Sequence, residues 1–304
     1  MPLHLPGHIV RPEFARFDDY RIELAQLGQG QWSAFRALAI DLEELTEIAR
    51  GWARTLEGVE RPWLCWNVEP EWCLVQQKLV REAGWTPLVG FDPRVGPPAR
   101  VIPEAVVFDF NAELGLPLLY PHFPLEFAFL FTSKIGFWHS DLLVRREKLQ
   151  VLAKMFGDLA DGRTAACIAD PGLRHRYLPW RKRYWELVGC TTRSASRDQF
   201  EKGCGWWMAY WAHPNQTRGD VVRRWYYWDH GAGIWYWHRK AGGSCVILDA
   251  ADYAEGHFSK IGKKDYVGTS EPNGSDVRRN MSEELVRNFD LRAACESLQL
   301  GGLL

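Results

Sequence analysis

The sequence predicts an α/β protein, a mostly parallel sheet flanked by helices and preceded by an N-terminal helical segment. Between residues 63 and 170, apolar runs of strand length alternate with stretches whose apolar residues recur at three and four spacing. Gly, Pro and Asp punctuate the joints. Residues 15–57 keep helical spacing throughout, with Phe35, Leu38, Leu42, Leu45, Ile48 and Trp52 on one stripe. The organisation expected is a helical segment over 1–60, an α/β core over 61–265 and a helical tail over 266–304.

Within the core, WLCWNV from Trp63 is a strand. PEWCLVQQKLVREAG is a helix stopped at Gly84, and TPLVGFDPR is a second strand ending at Asp92. Strand, helix and strand within about 30 residues predict a parallel βαβ unit. AVVFDF (105–110) is a third strand after a Pro- and Gly-rich loop. PLEFAFLFTSK (124–134) is a buried helix with Pro124 in its first turn. IGFWHSDLLV is an apolar strand interrupted by His-Ser-Asp. REKLQVLAKMFGDLADG is a helix ended by Gly162, and RTAACIAD is another strand. Beyond residue 170, WRKRYWELVGC reads as helical and RRWYYWDHGAGIWYWHRK as two aromatic strands around a Gly-Ala-Gly turn. SCVILDA reads as a strand, and SEELVRNFDLRAACESL as a closing helix capped by Ser282.

The bulk composition narrows the function classes. Lys plus Arg is 37 against 38 for Asp plus Glu, so no net field draws the chain to nucleic acid. Peripheral membrane contact stays open, but no stretch approaches the roughly 18 apolar residues of a spanning helix. The N-terminal residues lack the pattern of a secretory leader, which makes the cytoplasm the expected location. Seven scattered cysteines without a C-x-x-C pair read as reduced thiols. There is no G-x-S-x-G, no G-x-x-x-x-G-K-S/T and no G-x-G-x-x-G after a strand, which disfavours nucleophile-elbow hydrolases, P-loop nucleotidases and dinucleotide dehydrogenases. The sixteen Trp suit core packing, and also stacking on the apolar faces of sugar rings.

The sharpest chemical feature is His139-Ser140-Asp141 at the end of the apolar strand IGFW. In an open α/β sheet ligands bind beyond the carboxyl ends of the strands, and a side chain there is held by a rigid element. An imidazole and a carboxylate two residues apart can both reach one divalent ion where the chain leaves strict strand geometry. The same residues also suit a cap (Asp141) and a hydrogen-bonded core histidine (His139).

The block IGFWHSDLLVRREKLQVLAKMFGDLADGRTAACIAD resembles the central block of GT-A fold glycosyltransferases, where an apolar strand ends in a D-x-D type signature and a helix and a further strand follow. The resemblance covers the layout of residues 63–170 and the segment GHFSKIGKK (256–264). It implies a nucleotide-sugar donor, a glycan or other hydroxyl acceptor, and a Mn2+ or Mg2+ cofactor that grips the diphosphate. His139 stands at the first acidic position of the signature and Asp141 at the last, and imidazole favours manganese over magnesium. By the same likeness His257 is the third ligand, and Lys260, Lys263 or Lys264 neutralises the diphosphate. Asn67 or Glu69 faces the nucleotide, and Asp92 with Arg94 binds base or ribose. Asp198 and Glu201 are candidates for the catalytic base, with Trp206 and Trp207 as a sugar-stacking wall. His213, Asp229 and His230 are further, unranked candidates. Two other classes remain: a non-catalytic Trp-rich carbohydrate-binding or assembly protein, and a metal-free glycan hydrolase with two carboxylates. The sequence leaves donor, acceptor, stereochemical outcome and oligomeric state open.

Overall fold

The computed structural model describes residues 42–93, 95–115, 119, 121–168, 184–202, 204–206, 231–258 and 290–304. The chain is α/β. The helix α1 (Leu42–Thr55) leads into β1 (Pro62–Asn67), α2 (Pro70–Glu82), β2 (Thr86–Phe91) and β3 (Val106–Val107). The short helices α3 (His122–Glu126) and α4 (Ala128–Phe131) precede β4 (Lys134–Trp138), α5 (Arg146–Gly157), β5 (Arg163–Ile168) and β6 (Trp185–Thr192). Then come α6 (Arg193–Glu201), α7 (Ala232–Lys240), β7 (Ser244–Asp249) and α8 (Leu291–Ser297).

The strands form one seven-stranded sheet in the order β3-β2-β1-β4-β6-β5-β7. All adjacent pairs are parallel except those of β6, which runs antiparallel to both β4 and β5. The expected βαβ unit is β1-α2-β2, with Pro62 through Asn67 in register with Thr86 through Phe91. From β1 the chain steps outward to β2 and β3, then returns to place β4 on the other side of β1. The order therefore reverses between β1 and β4, and the carboxyl ends of those two strands flank the crevice where open sheets of this kind bind ligands.

Both sheet faces are covered, so every residue of β1 is buried. Alternation sends Trp63 and Cys65 to one face and Leu64 and Trp66 to the other. The first face carries α2, α5 and α8 through Trp72, Leu79, Leu152, Phe156 and Cys295. The second carries α1, α3, α4, α6 and α7 through Trp52, Phe123, Phe129, Phe200 and Trp237. Eight of the ten described tryptophans are buried: Trp52, Trp63, Trp66, Trp72, Trp85, Trp138, Trp206 and Trp237. Trp63 has Trp85, Trp138 and Phe156 at ring-centroid distances of 5.3, 5.4 and 5.2 Å. It lies flat over Gly136, where a Cβ would come within 2.7 Å of the indole.

Four sequence expectations change. WELVGC is strand β6 rather than helix, because it is the strip that closes the gap between β4 and β5. GIWYWHRK is helix α7 rather than a strand: Gly231, in the left-handed region at φ 80°, starts it, and Ile234 and Trp237, three apart, enter the core together. The third strand shrinks to Val106–Val107, and the helix expected over 124–134 is two short helices broken at Phe127. Of the closing helix the described part is Leu291–Ser297, with Asp290 as N-cap, and Ser282 lies outside the described residues. Among the described residues no helix is long and apolar enough to cross a membrane.

Candidate metal centre

At Trp138 the pairing of β4 with β6 runs one residue further, as His139 N–H donates to the Leu187 carbonyl at 2.9 Å. The chain then turns, with Leu142 N–H on the His139 carbonyl at 3.2 Å. That turn abandons strict strand alternation and brings the side chains of residues 139 and 141 round to one point. Gln76, buried on α2, fixes it: its amide Nε2 donates to the carbonyls of His139 (3.0 Å) and Leu142 (2.8 Å). A buried amide holding two loop carbonyls is a directional constraint that apolar packing does not supply.

His257 comes from a distant part of the chain. After β7, two 3-10 turns (Ala250–Asp252 and Ala254–Gly256) lead into a bridge between Leu142 and His257. Leu143 N–H donates to the Gly256 carbonyl and Phe258 N–H to the Asp141 carbonyl, each at 2.9 Å. Gly256 permits the approach, because a Cβ there would lie 1.8 Å from the Leu143 oxygen. Phe258 then packs edge-on to Trp72 at 5.5 Å.

The result is a triangle of ligand atoms. His139 Nδ1 lies 3.2 Å from His257 Nε2 and 3.5 Å from Asp141 Oδ1, and His257 Nε2 lies 3.2 Å from the same oxygen. Neighbouring ligands about 2.1 Å from one first-row divalent ion stand about 3.0–3.4 Å apart, so the edges fit three ligands on one face of such an ion. Asp141 is buried, and the two imidazoles are 22% and 20% exposed, so a solute approaches over the histidine rings.

Two residues behind the triangle escaped the sequence reading. Glu186, buried at the start of β6, takes His139 Nε2 at 3.2 Å on Oε1 and has His122 Nε2 of α3 at 3.6 Å from the same oxygen. Burial pulls the pKa of His139 down, but the carboxylates of Asp141 and Glu186 outweigh it and raise it to about 9. Glu186 was hidden because its segment reads as helix; LVGCTT, rich in β-formers, was the signal that placed it at a strand start. Gln76 carried a fainter signal, a polar residue inside the apolar stripe of a helix.

The remaining predicted residues fall in several places. Asn67 ends β1 and Asp92 directly follows β2, on the same sheet edge as the triangle, and both are buried. Asn67 Nδ2 donates to the Gly96 carbonyl (2.9 Å), and Asp92 Oδ2 accepts from Leu119 N–H (3.2 Å), so both brace loops at that edge. Glu69 is the N-cap of α2 and accepts from Trp72 N–H at 2.6 Å. Asp198 and Glu201 sit on α6, which starts at the opposite sheet edge because β6 is antiparallel. Asp198 Oδ2 accepts from Lys202 Nζ (2.8 Å) and Trp237 Nε1 (2.6 Å), and Glu201 is exposed. Neither meets the triangle. Trp206 is buried edge-on against Phe137 at 4.7 Å, which makes this indole a core residue rather than part of an open stacking wall. Arg94, Lys260, Lys263, Lys264, Trp207, His213, Asp229 and His230 lie outside the described residues.

No protein-family model, curated protein or solved structure matches this chain.

Proposed function

We propose that the chain is a metal-dependent glycosyltransferase with a GT-A-like core, moving a sugar from a nucleotide diphosphate donor to a glycan or other hydroxyl acceptor. The observation that carries this reading is the meeting of His139 and Asp141 with His257, which is 118 residues from His139 along the chain, beside the strand-order reversal. The mostly parallel sheet, the tripeptide after an apolar strand and the helix and strand that follow also agree with the resemblance.

In this reading His139, Asp141 and His257 would hold a divalent ion, which would supply positive charge against the donor diphosphate. The chain's part is to hold the ligands. Asp141 brings a full charge, shielded from water by its burial. The Leu142–His257 bridge fixes the third ligand, and Gln76 prevents the turn from relaxing. Two imidazoles and one carboxylate suit manganese better than magnesium, which prefers an all-oxygen shell. The buried state of most described tryptophans favours this over a lectin whose Trp surface does the binding. A cytoplasmic setting agrees with the seven cysteines, all free thiols.

The test is thermal denaturation with Mn2+ and UDP or GDP. Ligand at a hundred times its Kd stabilises the native state by about 2.7 kcal/mol, a clear upward shift in Tm. Asp141→Ala is expected to abolish that shift. A wild-type chain whose Tm is unmoved by Mn2+ with any nucleoside diphosphate refutes the proposal.

A further inference from the structure

We infer that Glu186 is a positioning residue for the metal centre, holding the His139 imidazole so that Nδ1 faces the ion. The inference rests on the metal-centre reading above and concerns a residue outside the three ligands.

An imidazole has two nitrogens, and only one can enter the triangle. His139 Nδ1 does so, at 3.5 Å from Asp141 Oδ1 and 3.2 Å from His257 Nε2. Its other nitrogen, Nε2, meets Glu186 Oε1 at 3.2 Å. A carboxylate accepts and cannot donate, so this contact holds a proton on Nε2 and makes Nδ1 the nitrogen that exchanges its proton for an ion. A carboxylate behind a ligating histidine fixes the ring and its tautomer and makes it a better donor.

The geometry shows why Glu186 is rigid enough for this. It is the second residue of β6, and the carbonyl of the next residue, Leu187, accepts the His139 amide, so the two segments are laced together beside the side chains. The same oxygen has a second imidazole beside it, that of buried His122 of α3, with Nε2 at 3.6 Å. Glu186 thus meets imidazoles from two elements. Asp141 and Glu186 also put two buried negative charges close to the site, which a divalent cation offsets.

The experiment follows free Mn2+ by its electron paramagnetic resonance signal in titrations of the wild-type chain, Asp141→Ala, Glu186→Ala and Glu186→Gln. The wild type binds one ion and Asp141→Ala loses it. Glu186→Ala raises Kd about 10–100-fold, and Glu186→Gln, which keeps an acceptor oxygen in the same place, falls between the two. In a His139→Ala background the Glu186→Ala change has no further effect, because its action runs through that ring. A second measurement needs no variant: histidine 15N shifts of the Zn2+-loaded wild type should show His139 protonated at Nε2. If the wild type and Asp141→Ala behave as stated but Glu186→Ala binds as tightly as wild type, the Glu186 inference is overturned and the metal centre stands. A proton on Nδ1 of His139 in the loaded protein, or an undiminished Glu186 effect without His139, overturns it as well. A wild type that binds no ion overturns both.

Discussion

Gly136, in the middle of β4, and His139, just past its end, are three residues apart and are held by opposite means. Gly136 lies under the Trp63 indole, with Trp85, Trp138 and Phe156 around that ring. His139 is surrounded by Asp141, Glu186 and His257, and its carbonyl is held by Gln76. The first region gains its stability from many weak, non-directional contacts and loses in proportion to the volume removed. The second depends on a few bonds with defined donors and acceptors, and a shift of about 1 Å would dismantle it. One strand serves both because its middle lies between two helix layers while its end lies at the carboxyl edge of the sheet, where the strand order reverses.

The largest effect on stability is expected from the apolar side. Trp63→Ala removes an indole buried against three other rings, and should cost about 3–5 kcal/mol in denaturant unfolding. If the two regions are independent, Mn2+ affinity of the folded variant stays within about threefold of wild type. A parallel collapse of affinity would show that the site is held up by the aromatic layer rather than by its own hydrogen bonds.

Gly256→Ala probes the other side of the comparison. Its Cβ would collide with the Leu143 oxygen, so the segment carrying His257 must move off the turn after β4. Overpacking of this kind costs about 1–3 kcal/mol. Because the strain falls on the bridge, it should appear mainly as a roughly tenfold to hundredfold weaker Mn2+ Kd. Equal losses of global stability and no change in affinity would mean that the bridge does not position His257.

The same contrast explains what the sequence disclosed. The β1-α2-β2 unit was legible because strands buried on both faces are continuously apolar, while α2 keeps its 3.6-residue stripe and its Gly84 stop at φ 78°. His139, Asp141 and His257 were legible through their order along the chain, since two follow an apolar strand and the third a late one. Beyond residue 184 aromatic density blurred the period. Trp185–Thr192 and Ala232–Lys240 exchanged strand and helix, because Trp and Tyr pack well in either and tertiary position decides. Glu186 was lost with that exchange. Its role depends on a β4–β6 pairing that no local pattern announces.

Proton competition sharpens the polar half. With His139 raised to about 9, above the ordinary histidine value of about 6.5, the ion-free fold draws stability from that proton below about 6.5. The contribution is lost as pH climbs through about 9. An ion at Nδ1 displaces the proton, so Mn2+ affinity should rise about tenfold per pH unit across the neutral range and level off near 9. Calorimetry in buffers of different ionisation heat should find about one proton released at pH 7. A flat affinity between pH 6.5 and 8 would place the ion elsewhere.

The smallest effect is expected at Asp198. Its carboxylate, 41% exposed, is joined to Lys202 one turn along α6 and to the Trp237 indole N–H. An exposed pair of this kind contributes about 1 kcal/mol or less, and the helix begins at the sheet edge away from the triangle. Asp198→Asn keeps an oxygen for the Trp237 N–H, so the change in unfolding free energy should stay below about 1 kcal/mol, with the Mn2+ and nucleotide thermal shift intact. Glycosyl transfer is the decisive readout for this variant. If transfer falls by orders of magnitude while metal and nucleotide binding persist, α6 delivers a carboxylate to the acceptor, and the division between a reactive carboxyl edge and a structural opposite edge must be redrawn. If transfer persists, Asp198 belongs with Lys202 and Trp237 as a tie between α6 and α7.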